Sequence, residues 1–261
     1  MKRMILACAL VMSFLFAGVL TARTIEPISQ ALLQPQAGAE PLLVLVEYDP
    51  WAMVIGSDTP KFVLYDDGVV IYRKDDGHHT ARLSPDEMAT FRASLRPEAL
   101  SRLAGSYALT ENTDQPTTDI LLRSGSTYAR ISIYGSLSSL TVGPALPTEI
   151  LDTYERLIAF ERRDAVPWRP EKVEVMIWPY EYAPDESIIW PAGWPGITHV
   201  DTQQRGENYS LYISASEYLK LREFLGTRRS RGAVLIDGRK WAAQVRLPFP
   251  KEDRWMGAGE D

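Results

Sequence analysis

The sequence predicts an α+β fold: an antiparallel sheet built from β-hairpins, with helices mainly on one face, preceded by an N-terminal signal or anchor segment. Three observations predict it. Short β-branched and aromatic runs recur in pairs around turn residues. Capped segments of helical period follow several of these pairs. Residues 4–20 form an apolar run behind two cations.

The leader comes first. Lys2 and Arg3 precede Met4–Leu20, in which Ser13 is the one polar residue, and Thr21-Ala22-Arg23 closes the segment. The pattern predicts a secretory signal cut after Ala22, or an uncleaved membrane anchor of residues 4–22. Either way the cations stay in the cytoplasm and the rest is translocated to a periplasmic or extracellular location. Residues 23–41, rich in Gln, Ala and Pro, read as a flexible linker. Residues 42–250 form the body, with a division near 165 as the alternative, and residues 251–261 read as a disordered tail.

Within the body, Phe62–Tyr65 and Val69–Tyr72 flank Asp66-Asp67-Gly68 and predict a hairpin. Both runs are apolar on both faces, which places this hairpin inside the core. Ser84-Pro85-Asp86-Glu87 carries a capping box with Pro at the first helical position, and Met88, Phe91 and Leu95 give the buried stripe. A second hairpin, Ile120–Leu122 and Tyr128–Tyr134, precedes a second helix with Ile150, Tyr154, Leu157 and Ile158 on one face. The two hairpin–helix units match at a fixed offset, Ile71-Tyr72 on Ile133-Tyr134 and Pro85 on Pro147, but through few identities, which coincidence explains as readily as duplication. Past Val166 the chain turns to Trp, Tyr and Pro. Lys172–Trp178 reads as a strand and the remainder of 167–196 as a long ordered loop. Tyr209–Ile213, a helix capped by Ser214, and a hairpin around Asp237-Gly238 complete the body.

The chemistry is bounded mainly by exclusion. With 45% hydrophobic and 24% charged residues the chain is globular, and its net charge of −6 argues against nucleic acid as a partner. Cys8, the one cysteine, lies in the leader, which leaves the body without disulfides, zinc ribbons or thiol chemistry. No phosphate loop, dinucleotide fingerprint, zinc-protease helix or nucleophile elbow occurs, so no catalytic residue, cofactor or metal is assigned. His78-His79 follows Asp75-Asp76-Gly77 and reads as part of a solvated loop. Lys220, Arg222, Arg228, Arg229 and Arg231 form the one basic cluster, which suits a helix C-terminus or an acidic partner.

The preferred contact surface is the aromatic segment: Trp178, Tyr180, Tyr182, Trp190 and Trp194, held by prolines. It predicts a non-catalytic binding module of the cell envelope that recognises a protein, peptide or glycan, with the membrane reached through the N-terminal segment if that segment is uncleaved. The competing plain reading folds these aromatics over the sheet as core. Two other functions fit the sequence. One is an envelope hydrolase with a polar site around Asp114, Thr117 and Asp119, or around His199; the other is a structural envelope domain.

Overall fold

The computed structural model describes residues 33–137 and 146–256. The leader, most of the linker and the last five residues of the tail lie outside the described residues, and so does any test of the expected signal or anchor. Among the described residues no helix is long and apolar enough to cross a membrane.

The fold is mixed α+β, with two mostly antiparallel sheets instead of the single sheet expected. The first sheet is assembled largely from the N-terminal half. Its strands are β1 (Pro41–Tyr48), β2 (Phe62–Tyr65), β3 (Val69–Lys74), β4 (Gly77–Arg82), β5 (Gly105–Ala108), β6 (Thr117–Ser124), β7 (Thr127–Tyr134) and β8 (Val166–Pro167). Their order is β5-β7-β6-β1-β2-β3-β4-β8, with β5 parallel to β7. The second sheet uses β9 (Lys172–Pro179), β10 (Asp185–Ile189), β11 (Gln203–Arg205), β12 (Asn208–Ser214), β13 (Gly232–Ile236) and β14 (Arg239–Arg246). Its order is β10-β13-β14-β9-β12-β11, with β10 parallel to β13.

The period-2 alternation of β1 decides how the first sheet packs. Leu43 and Leu45 point to one face, where they join Phe62, Leu64, Val70, Ile120 and Ile133. Helices α1 (Pro85–Leu95), α2 (Pro97–Arg102) and α3 (Thr148–Ile158) cover that face through Leu95, Leu100, Ile150 and Leu157. Val44 and Val46 point to the other face. They belong to a second cluster that continues through Trp168, Leu247 and Phe249 to Val173, Val175, Ile177 and Trp241 of the second sheet. Helix α4 (Tyr218–Gly226) contributes Leu221 to this cluster. Each fully buried aliphatic side chain contributes roughly 1.5–3 kcal/mol relative to exposure.

Local chemistry explains the element ends. At α1 the Ser84 side chain accepts from the Glu87 amide, and the Glu87 carboxylate accepts from the Ser84 amide. Gly68 sits at φ +85° in the β2–β3 turn, where a Cβ would lie 2.6 Å from the Leu83 carbonyl oxygen. Only glycine fits both demands there.

Several expectations need correction. Asp75-Asp76-Gly77 does make a turn, but it is a hairpin turn, and His78 and His79 are buried residues of β4 rather than parts of a solvated loop. The stretch after β9 is not all loop, because Asp185–Ile189 adds an edge strand. Ile158, placed on the inward face of its helix, is exposed. Ser214 caps a one-turn 3-10 segment, Ala215–Glu217, and α4 starts only at Tyr218. Residues 251–256 do not fray: they include α5 (Asp253–Met256), and Trp255 is buried. The end of the linker is fixed too, with Leu33 and Ala39 buried.

Candidate binding surface

The Trp/Tyr/Pro segment divides by environment. Val173, Val175 and Ile177 of β9 enter the core, so Trp178 lies on the opposite face of that strand, half-buried across from Ala242. Tyr180, also half-buried, follows the strand, and its amide donates to the Lys240 carbonyl. Tyr182 is 95% exposed. Trp190 is only 7% exposed, and its indole N–H donates to the Pro195 carbonyl at 3.1 Å. Trp194 is half-buried and meets the Trp190 ring edge-on, with centroids 5.1 Å apart. Both indoles also pack edge-on against Phe224 of α4. The five aromatics are therefore not one coplanar platform. Trp190 and Trp194 form a rigid base, and Tyr182 stands apart from it.

That base lines a groove of about 650 Å³, together with Ile189, Pro191, Pro195, His199 and Asp237. Ile189, at the end of edge strand β10, is 74% exposed, and Val200, next to His199, is also exposed. The groove wall is fixed by a local bond: the Asp237 carboxylate accepts from the Ile197 amide at 2.8 Å. The same carboxylate approaches Gly196 so closely that a Cβ there would lie 2.7 Å from its oxygen. Ordered prolines and a locked indole pair give apolar contact area that loses little rotamer freedom on binding.

The residues considered for hydrolysis do not converge. Asp114 is exposed at φ +57°, and Thr117 opens β6. Asp119 is buried on β6, where its side chain bonds Ser132 and faces Arg130 at 3.7 Å, and burial raises its pKa. His199 is exposed on the other sheet's loop, where its Nδ1 accepts from the Asp201 amide. Asp119 thus meets a serine hydroxyl and His199 a backbone amide, on separate sheets, and the two are not joined into one site. No set of three or more metal-ligating side chains gathers among the described residues either. His78 has a structural setting: its Nε2 lies 2.8 Å from the Pro60 carbonyl, its ring meets Trp168 and Phe249 edge-on, and burial lowers its pKa to about 4.

Sequence reasoning missed a second surface. The β1–β2 loop holds Trp51 at 75% exposure beside a groove of about 870 Å³ lined by Glu47, Asp49, Asp58, Lys61, Arg73 and Lys74, among others. The Asp58 carboxylate accepts from the Asp49 amide, and that of Asp49 accepts from the Trp51 amide, so the loop is tied to itself. The signal in the sequence was a lone tryptophan set directly after Asp49-Pro50, a turn pair.

Comparison with protein-family models, curated proteins and solved structures gives no match. The reading of the contact surface therefore rests on the geometry.

Proposed function

We propose that this chain is an exported or membrane-tethered protein of the cell envelope whose body acts as a non-catalytic binding module. Its contact surface is the groove based on Trp190 and Trp194, and its ligand is a protein, peptide or glycan of the envelope. One observation carries the reading: a locked indole pair lines a groove flanked by the exposed side chain of Ile189. Large apolar side chains held rigid beside exposed apolar neighbours are the composition of contact hot spots. The leader supports the location, because an apolar run behind Lys2 and Arg3 directs export.

The test uses the full chain in detergent, offered to isolated envelope polymer and to envelope proteins immobilised on beads. Ile189→Asp and Val200→Asp place charges in the surface without touching the core. Retention of the native chain, weakened about tenfold by Ile189→Asp with an unchanged melting temperature, is the expected result. Equal retention of native and substituted chains would refute the assignment of this groove.

A further inference from the structure

The basic cluster of the sequence does not stay together in the fold. Lys220 turns to Glu217, at 3.1 Å from both carboxylate oxygens, and Arg229 faces Glu186 at 3.9 Å. Arg222 and Arg228 instead line a groove of about 410 Å³, where Arg73 of β3 joins them. Among the described residues none of these three guanidiniums forms an ion pair with a carboxylate. Arg228 is the informative one. It is half-buried, desolvation lowers its pKa, and its guanidinium lies against the thioether sulfur of Met53, a weak acceptor. A partly desolvated cation without an anionic partner is unfavourable unless something brings the missing charge.

The surroundings narrow the class of ligand. Asp75 and Asp76 also line this groove, and Asp76 is 3.6 Å from His79. The groove runs on into the Trp51 groove, with which it shares Thr59, Arg73, Asp75, Gln244 and Val245. That second stretch adds Glu47, Asp49 and Asp58, together with Lys61, which pairs with Glu47, and Lys74, which pairs with Glu161. With those two lysines paired, the guanidiniums of Arg222 and Arg228 stand at one end of the cleft, Arg73 at the join, and the carboxylates of Asp49 and Asp58 beyond. A polyanion would meet the Asp49 and Asp58 carboxylates once past the guanidiniums. A ligand with one anionic group and a neutral, hydroxyl-rich body meets donors and acceptors throughout. The exposed indole of Trp51 adds a flat apolar face of the kind on which a sugar ring stacks.

We infer that this cleft binds an acidic sugar, with its phosphate or carboxylate group held by Arg73, Arg222 and Arg228 and its ring directed toward Trp51. Planar guanidinium forks suit both oxyanions. The site shares no lining residue with the Trp190–Trp194 groove, so it stands or falls independently of that surface.

The experiment is calorimetric titration of the full chain in detergent with four probes: a hexose phosphate, a hexuronate, the neutral hexose and inorganic phosphate. Binding of the hexose phosphate or of the hexuronate, whichever is tighter naming the oxyanion, is the expected result. Arg228→Gln and Arg73→Gln should each weaken that binding roughly tenfold, and Trp51→Ala should weaken the sugar but not inorganic phosphate. Melting temperatures of Arg228→Gln and Arg73→Gln should not fall, because neither cation holds a carboxylate in the free protein. No binding by either acidic sugar, or binding unchanged in both arginine variants, would overturn the inference. So would neutral hexose or inorganic phosphate binding as tightly as the acidic sugars.

Discussion

Arg246 is 3% exposed, and Glu174 opposite it on β9 is buried as well. One guanidinium nitrogen donates to Glu174 at 2.6 Å and to Glu252 at 2.9 Å, and the other donates to Glu252 at 2.5 Å. Two acids thus share one buried cation, and Glu252 fastens the C-terminal segment that carries Trp255. Arg246→Met should destabilise the protein by about 3–5 kcal/mol in urea unfolding, because it strands the Glu174 charge. The double variant Arg246→Met with Glu174→Leu should recover much of that loss; equal instability of single and double variants would contradict the charge argument. His78 gives a pH prediction. Its folded pKa, about 4, lies below the ordinary 6.5, so the unfolded chain binds more protons between these values. Its contribution is complete above about pH 6.5 and is lost as the pH falls toward 4. Asp58 and Asp119, whose pKa values burial raises, act in the opposite sense, so the histidine's share is read from the difference between the native chain and a variant without it. Denaturant midpoints across that range should slope less in His78→Phe than in the native chain.

Elements with strong local chemistry were legible in the sequence. The Asp66-Asp67-Gly68 turn, the capping box of α1 and the Asp237-Gly238 hairpin carry their instructions within a few residues. Ser84→Ala should cost about 1 kcal/mol of stability by thermal or urea unfolding. Glu87 also accepts from Arg162 at 2.5 Å, which ties the start of α1 to the segment after α3. Strand β4 was not legible, because Gly77-His78-His79-Thr80 has no apolar alternation. Its burial comes from long-range partners instead: Trp168 and Phe249 beside His78, and the Leu33 carbonyl that accepts from Thr80. Strand β10 was hidden for a related reason. It lies between prolines in sequence and is made a strand by its parallel partner β13. The recurrence of hairpin–helix units, which coincidence explains as readily as duplication, goes no further than this: both units contribute to the first sheet, and residues 138–145, where a counterpart of β4 would fall, lie outside the described residues.

At the scale of the molecule, the two sheets share one hydrophobic cluster through Trp168, Leu247 and Phe249. Residues on both sides of position 165 are therefore expected to unfold together. Tryptophan fluorescence and far-ultraviolet circular dichroism should report one coincident transition, and two separated transitions would contradict a shared core. The proposed contact surface was legible only in part. Its residue types stood out, but which of them face water depends on where α4 places Phe224 and on the Asp237 turn, and neither is encoded locally. The three guanidiniums were harder still, since Arg73 and Arg228 are brought together only by tertiary folding. The central claim, that the Trp190–Trp194 groove is where this protein meets its envelope partner, is tested most directly by a photo-cross-linking residue at position 189 in cells that make the protein. Exposed Leu219 on α4 serves as the control position. The account predicts a discrete adduct from position 189 and none from 219; adducts of equal yield from both, or from neither, would contradict it.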